Sequence, residues 1–306
     1  MNVYLLYDHF GSFLTSRRFW SDLKKSGVKV RVSHPFKWTA PREYMYRNHK
    51  KLLIIDGIKA VTGGFNIADE YHGYFRKRNI TWRDTGIYLE GPVTSALLNM
   101  FQISWSTWKG ELINRHTRHE ALIQGVPVIP IFANSGRARR RMRRLLIYSI
   151  RNAKKSILLT TAYFVPSKRI LRALLHAARR GVSLKLLLPG NSDIQSVFYA
   201  GRSYYHSLLK AGAEIYNYQG AVLHAKTTVF DGCWSIIGSA NFDFLSLRKN
   251  EESNVGIFDV DFSTHMTEVF QTDLKDSFKI DAATWAKRPL YQKILEKLFY
   301  VIIKKL

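Results

Sequence analysis

One pattern of functional residues occurs twice in this chain at a fixed spacing, and that duplication restricts the possible folds more than any other feature. The stretch from His49 to Asn66 recurs from His224 to Asn241, offset by 175 residues throughout. Both copies read H-x-K-x4-D-G-x5-G-x2-N, and six of 18 positions are identical without a gap. H-x-K-x4-D alone is expected roughly 0.03 times by chance in a chain of this composition, so two copies mean an internal repeat. Upstream, Leu23, Lys25 and Gly27 pair with Leu208, Lys210 and Gly212 at an offset of 185, which places an amphipathic helix with a glycine cap before each copy. At 306 residues the chain is of a size at which one core commonly gives way to two.

Within the first copy the run from Lys50 to Ile55 is strand-like, meets Asp56-Gly57 and continues from Ile58 to Thr62, which predicts a hairpin; the second copy repeats the design. Each half alternates short strands with helices, so the fold class is α/β: two similar sandwich halves packed about a pseudo-twofold axis. Ahead of its repeat the second half has room for a basic helix over residues 139–153, a strand over 156–162, a helix over 168–180 and a strand over 182–188. The first half offers only Val3 to Tyr7 before Asp8. It is therefore expected to lack about one helix, one strand and another helix, on the order of 40 residues, so that the chain is truncated or starts internally, a misplaced start codon being the simplest origin. The expected domains are residues 1–120, 121–286 and a basic amphipathic helix over 287–306, with the boundary placed loosely within residues 108–135.

With 47 basic and 23 acidic residues the net charge is +24, which favours polyanionic partners; nucleic acid and anionic lipid both fit. A hydrophobic content of 46% attaches that charge to a folded body rather than a disordered tail. The single cysteine, Cys233, excludes an intramolecular disulfide and any Cys-rich metal site. No apolar run approaches the roughly 18 residues that a membrane span needs.

The two-residue period of a strand puts His49 and Lys51 on one face, and likewise His224 and Lys226. Brought together, these four supply what cleavage of a phosphodiester requires: a nucleophile, an acid for the departing alkoxide, and cations on the non-bridging oxygens. Asn66 and Asn241, each after a glycine-containing turn, are candidate amide donors to the phosphate. Asp56 and Asp231 belong to the motif and stand with the candidate catalytic set, although a position before glycine favours a turn role. Asp84 and Glu252, 35 and 28 residues after their histidines, are suited to orienting an imidazole, with surface ion pairing the alternative. The scheme needs no metal and no cofactor. His34, His72 and His116 share no ligand-like spacing and are assigned no role.

The paired motifs, followed by Gly63-Gly64-Phe65-Asn66 and Gly238-Ser239-Ala240-Asn241, resemble the phospholipase D superfamily. Further segments are similar to its bacterial cardiolipin synthase branch: Tyr7-Asp8 with Gly11-Ser12, Trp82-Arg83-Asp84 with Glu90-Gly91-Pro92, Tyr163-Phe164-Val165-Pro166, Gly181-Val182 leading to Leu187-Leu188-Pro189-Gly190, and Lys287-Arg288-Pro289-Leu290. The resemblance implies transfer of a phosphatidyl group between two phosphatidylglycerols, with release of glycerol, through a phosphohistidine and without an essential metal. It implies His49 as nucleophile and His224 as acid and base, with Lys51, Lys226, Asn66 and Asn241 around the phosphate. Asp84 and Glu252 take the places of supporting carboxylates; which histidine each one holds stays open, pairing across the halves included. Members of the branch carry N-terminal membrane helices, or at least the first strand and helix of the first half. The implied location is the bacterial cell membrane, peripheral in this form, and a missing strand should leave an exposed patch or sheet edge.

Residues 137–144 contain six arginines, and the segment after Pro289 alternates apolar and basic residues at helical spacing, so an anionic membrane surface is an expected partner, along with phosphatidylglycerol as substrate. Nucleic acid is not expected. The rival readings are a phospholipase D that hydrolyses headgroups, a nuclease built on the same motif, and a non-catalytic scaffold. The cluster itself does not separate hydrolysis from transfer, because water and an alcohol attack the same intermediate.

Overall fold

The structure is a computed structural model and describes residues 1–40, 44–71, 81–113 and 125–305. His72, His116 and the expected boundary at 120/121 lie outside the described residues. The first half runs β1 (Tyr4–Asp8), α1 (Arg17–Lys25), β2 (Lys29–Ser33), β3 (Leu52–Ile55), β4 (Lys59–Gly63), β5 (Gly86–Glu90) and α2 (Val93–Thr107), with a short 3-10 turn Asp69–Tyr71 before β5. Then come β6 (Val128–Phe132), α3 (Gly136–Asn152), β7 (Ser156–Thr160), α4 (Lys168–Arg179), β8 (Ser183–Pro189), α5 (Gln195–Arg202), α6 (Tyr205–Lys210) and β9 (Glu214–Tyr218). The repeat hairpin β10 (Thr227–Phe230) and β11 (Trp234–Gly238) follows, with α7 (Phe244–Arg248), β12 (Ser253–Phe258), α8 (Val260–Lys275), β13 (Ser277–Lys279), α9 (Ala282–Ala286) and α10 (Leu290–Lys305).

Local chemistry sets these boundaries. Asp56 and Gly57 both take positive φ (55° and 71°), as do Asp231 and Gly232 (53° and 66°), the central residues of tight turns closed by Ile58 N–H to Ile55 O and Cys233 N–H to Phe230 O. Ser16, Ser135 and Ser167 cap α1, α3 and α4 by accepting a backbone N–H three residues on. Gly27 and Gly212, at φ 85° and 94°, follow α1 and α6 at the paired positions.

The second half holds an eight-stranded mixed sheet ordered β13-β9-β8-β7-β10-β11-β12-β6. β7 is its joint: it runs parallel to β8 and antiparallel to β10. In the first half β1 pairs in parallel with β2, and β3, β4 and β5 form an antiparallel set, but these remain two separate sheets. Among the described residues the first half has no counterpart of α3, β7 and α4, the helix, strand and helix that the internal comparison finds absent. The consequence shows at equivalent positions: Phe230 on β10 is 3% exposed beneath the helical layer, whereas Ile55 on β3 is 46% exposed.

Two apolar clusters organise the molecule. One lies between the second-half sheet and α3, α4 and α6, with Leu146, Ile150, Ile170, Leu174 and Leu186 at its centre. The other joins the halves, packing Ala60, Leu89, Leu97 and Met100 against Leu158, Val229, Val255, Met266 and Phe270. That shared core presses the two repeat hairpins together and brings their histidine ends into one cleft.

Candidate active site

Each histidine lies just ahead of the first strand of its hairpin, and a backbone crossing between halves fixes it there. His49 N–H donates to Glu251 O (2.9 Å) and Glu251 N–H to Arg47 O (2.8 Å), while Arg83 N–H donates to Val222 O (2.9 Å) and His224 N–H to Arg83 O (2.7 Å). These are parallel bridges, Asn48 with Glu251 and Arg83 with Leu223. In each, the residue before a histidine of one half is registered with the residue before a carboxylate of the other, so the next residues emerge side by side. The outcome is crossed support: His49 Nδ1 lies 3.0 Å from Glu252 Oε2, and His224 Nδ1 lies 2.7 Å from Asp84 Oδ2. Arg83 braces the crossing with a bidentate pair to Asp273, both contacts at 2.7 Å.

Glu252 is fully buried and also accepts from Ser239 Oγ at 2.5 Å. The carboxylate holds the proton of His49 on Nδ1 and leaves the Nε2 lone pair free. His224 Nδ1 has a more crowded setting, 2.8 Å from Tyr71 Oη and 2.7 Å from Lys226 Nζ. Gly64 makes room for Asp84, since a Cβ there would collide with the carboxylate.

Lys51 Nζ donates to His49 O (3.0 Å), and Lys226 Nζ contacts His224 O, so each lysine lies beside its own histidine. Burial pushes Lys51 down to about 8 and Lys226 down to about 7, partly offset by the charges of Asp84 and Glu252. Burial likewise lowers His49, against the pull of Glu252, and lowers His224 to about 4, against the pull of Asp84. An anion entering the cleft would favour the charged forms of the lysines and imidazoles again.

Asn241 is buried, and its Oδ1 accepts from Thr161 Oγ1 and Tyr163 N–H, both at 3.3 Å, which leaves its amide hydrogens as what it can offer. Asn66 is exposed, so the two asparagines are not equivalent. Asp56 and Asp231 need correction as catalytic candidates: both occupy hairpin turns, seven residues beyond their histidines and on the order of 20 Å along a strand. Asp231 instead accepts the N–H groups of Lys154, Lys155 and Ser156 at 2.9, 2.7 and 2.9 Å, tying the turn to the start of β7. His34, given no role from sequence, reaches Glu251 through Nε2 at 3.3 Å, beside the ion pair of Glu251 with Lys50.

Sequence reasoning missed Tyr71, Trp82 as a ring 5.3 Å from His224, and the pair formed by Tyr163 and Asp193. These surround one histidine only. Comparing a chain with itself reveals what is duplicated and is blind to residues found in one half.

The family profile described as cardiolipin synthase, PLD-like domain, matches residues 146–274. Cardiolipin synthase 2 of Bacillus anthracis is 34% identical over 98% of this chain and 59% of its own length. The major cardiolipin synthase ClsA of Bacillus subtilis is 34% identical over 97% of this chain and 63% of its own length. The chain thus spans about three fifths of the length of these relatives. The solved phosphatidylserine synthase of Haemophilus influenzae shares the fold with a TM-score of 0.69 over 99% of this chain and 89% of that one, at 13% identity. The duplicated motif and the two-half fold stand beside these matches: residues 146–274 match the PLD-like domain of the cardiolipin synthase profile, and nearly the whole chain is similar in sequence to cardiolipin synthases.

Proposed function

We propose that this chain transfers a phosphatidyl group from one phosphatidylglycerol to the glycerol headgroup of another, giving cardiolipin and free glycerol through a phosphohistidine. The observation that carries the reading is the crossed pair of carboxylate-held histidines, each with a lysine beside it, Lys226 buried and Lys51 half-buried; the similarity to named cardiolipin synthases supplies the lipid substrate class. His49 Nε2 attacks phosphorus, the bond to the glycerol oxygen breaks, and protonated His224 gives its proton to that oxygen. The second phosphatidylglycerol then loses a hydroxyl proton to His224 as its oxygen attacks phosphorus; the P–N bond breaks and His49 is restored. The single carboxylate partner of His49 suits a nucleophile with a fixed tautomer, and the three-partner setting of His224 suits a group that changes protonation state. Lys51, Lys226 and Asn241 hold the non-bridging oxygens, with Asn66 at the exposed edge.

The same reading places the protein on an anionic bilayer. Among the described residues no helix is long and apolar enough to cross a membrane. α10 packs one face on α5, where Glu296 is buried against Arg202 and Arg288. It leaves Leu290, Ile294, Leu298 and Val301 exposed on the other face, alongside Lys293 and Lys297. Around the His49 side of the cleft, Phe10, Phe13, Phe36 and Trp38 are exposed, with Arg47 stacked 3.9 Å from the Phe10 ring. Arg139 of α3 lies over Tyr46, and Arg137, Arg140, Arg141 and Arg144 face solvent, each worth about 1 kcal/mol near anionic headgroups.

The test is a mixed-micelle assay with phosphatidylglycerol as sole lipid, following cardiolipin, phosphatidic acid and glycerol together. Cardiolipin with equimolar glycerol, lost in His49→Ala and His224→Ala, supports transfer. Phosphatidic acid as the main product makes the protein a hydrolase, and silence on lipid with cleavage of DNA makes it a nuclease.

A further inference from the structure

The two ends of the cleft are chemically different although the fold makes them equivalent. The loop after β1, beside His49, exposes Phe10, Phe13 and Leu14. The loop after β8 carries Asn191, Ser192 and Asp193 instead. Asp193 Oδ2 accepts the hydroxyl of Tyr163 at 2.7 Å, and its Oδ1 accepts from Ser192 Oγ at 3.2 Å. The ring of Tyr163 stands perpendicular to the His224 imidazole, 6.3 Å between centroids, and its backbone N–H bonds Asn241. Asp193 is exposed, yet its charge reaches Lys226 and Tyr71 across the cleft. The loop is stiff: Asn191 Oδ1 accepts from Ser192 N–H at 2.9 Å, and Gln195 Nε2 donates to Ser192 O at 2.8 Å. A carboxylate beside a phosphate site repels the phosphate, so its place there calls for a different part of the substrate.

We propose that Asp193 and Tyr163 form the acceptor-alcohol subsite, which binds a neutral vicinal diol by taking the hydroxyl next to the attacking one. The inference deepens the transfer reading above and rests on it. Displacement at phosphorus is in line, so the leaving and entering oxygens both lie opposite His49, on the His224 side, next to this pair. The acceptor hydroxyl loses its proton to His224 and forms the new O–P bond as the P–N bond to His49 breaks, while its neighbouring hydroxyl donates to the free lone pairs of Asp193. Water has no second hydroxyl to hold there, so the subsite favours alcohol over water at the shared intermediate.

The experiment reads the partition of that intermediate. The full chain turns over phosphatidylglycerol in micelles with labelled glycerol, ethanol or ethanolamine added in turn, and the ratio of transfer product to phosphatidic acid is measured for wild type, Asp193→Asn, Asp193→Ala and Tyr163→Phe. Loss of a charge-assisted hydrogen bond predicts that the glycerol ratio falls about 10-fold to 100-fold in Asp193→Ala and less in the other two. The ethanol ratio should shift less than about threefold, because ethanol offers no second hydroxyl. The ratio is independent of how much enzyme is folded, and Asp193→Asn keeps the loop shape should the alanine variant fold poorly. Equal falls with glycerol and ethanol would overturn the diol assignment in favour of loop damage. A fall confined to ethanolamine would make Asp193 an ammonium site. Unchanged ratios in a variant that still consumes lipid sink the subsite alone, whereas a wild type that consumes no phosphatidylglycerol overturns the transfer reading and the subsite with it.

Discussion

Anion binding in the cleft should depend steeply on pH in a range where most proteins show little change. Lys51 and Lys226, beside the two histidines, have values pushed down to about 8 and about 7 by burial, and an anion binds best to the form in which both are charged. Near pH 6 about nine tenths of the molecules are in that form. Near pH 9 about one tenth of Lys51 and one hundredth of Lys226 remain protonated, so the competent fraction is on the order of 10⁻³. Apparent affinity should therefore fall about 1,000-fold across the window, about 4 kcal/mol. The direction follows from the sign of the shift: lysines lowered in the free protein lose their charge as pH rises, so binding weakens upward. His224, at about 4, is neutral in the free cleft throughout this window. Sulfate is the suitable probe because its own charge does not change over this range, with calorimetry as the readout. Near pH 9, wild type should take up close to two protons per sulfate, and Lys226→Met or Lys51→Met close to one. Sulfate affinity constant within threefold from about pH 6 to 9 would refute the reasoning, since it would mean that both lysines keep ordinary values and that the cleft is wetter than its packing implies.

Glu252→Gln should lower kcat by roughly 10²-fold to 10⁴-fold, because an amide in contact with Ser239 turns its NH2 toward His49 and moves the imidazole proton to Nε2, where attack must begin; steady-state kinetics on folded protein checks it, and Asp84→Asn should act in the same direction through His224. Asp231→Ala should cost about 1–2 kcal/mol in urea unfolding by leaving three backbone N–H groups without their acceptor, with kcat of the folded fraction within about threefold of wild type. Leu97→Ala, emptying a fully buried site in the core between the halves, should destabilise by about 2–5 kcal/mol, measured by the same unfolding series.

The crossed support of the histidines explains why the halves must pack before any chemistry is possible. Neither half contains a complete site: His49 depends on Glu252, and His224 on Asp84. The apolar core shared by the halves and the Arg83 pair with Asp273 therefore act on the reaction through position, holding backbone registers that set imidazole orientation.

The sequence by itself determined the duplication, the α/β halves, the Asp-Gly hairpin turns and the four residues His49, Lys51, His224 and Lys226, because each is written in local pattern: a repeated spacing, a two-residue strand period, and glycines where φ is positive. The same comparison marks where the halves differ: among the described residues the first half keeps two separate sheets, and Ile55 is exposed where Phe230 is covered. Tertiary structure alone decided which carboxylate serves which histidine, because Asp84 and Glu252 stand at different distances from their motifs and reach the partner half only through the backbone crossing at Arg83 and Glu251. It also decided that Asp56 and Asp231 lie a strand's length from the chemistry, and that Tyr71, Tyr163 and Asp193 gather at one histidine. Contacts between residues 30 to 200 positions apart depend on how sheets pack and not on any period along the chain, so no local pattern records them.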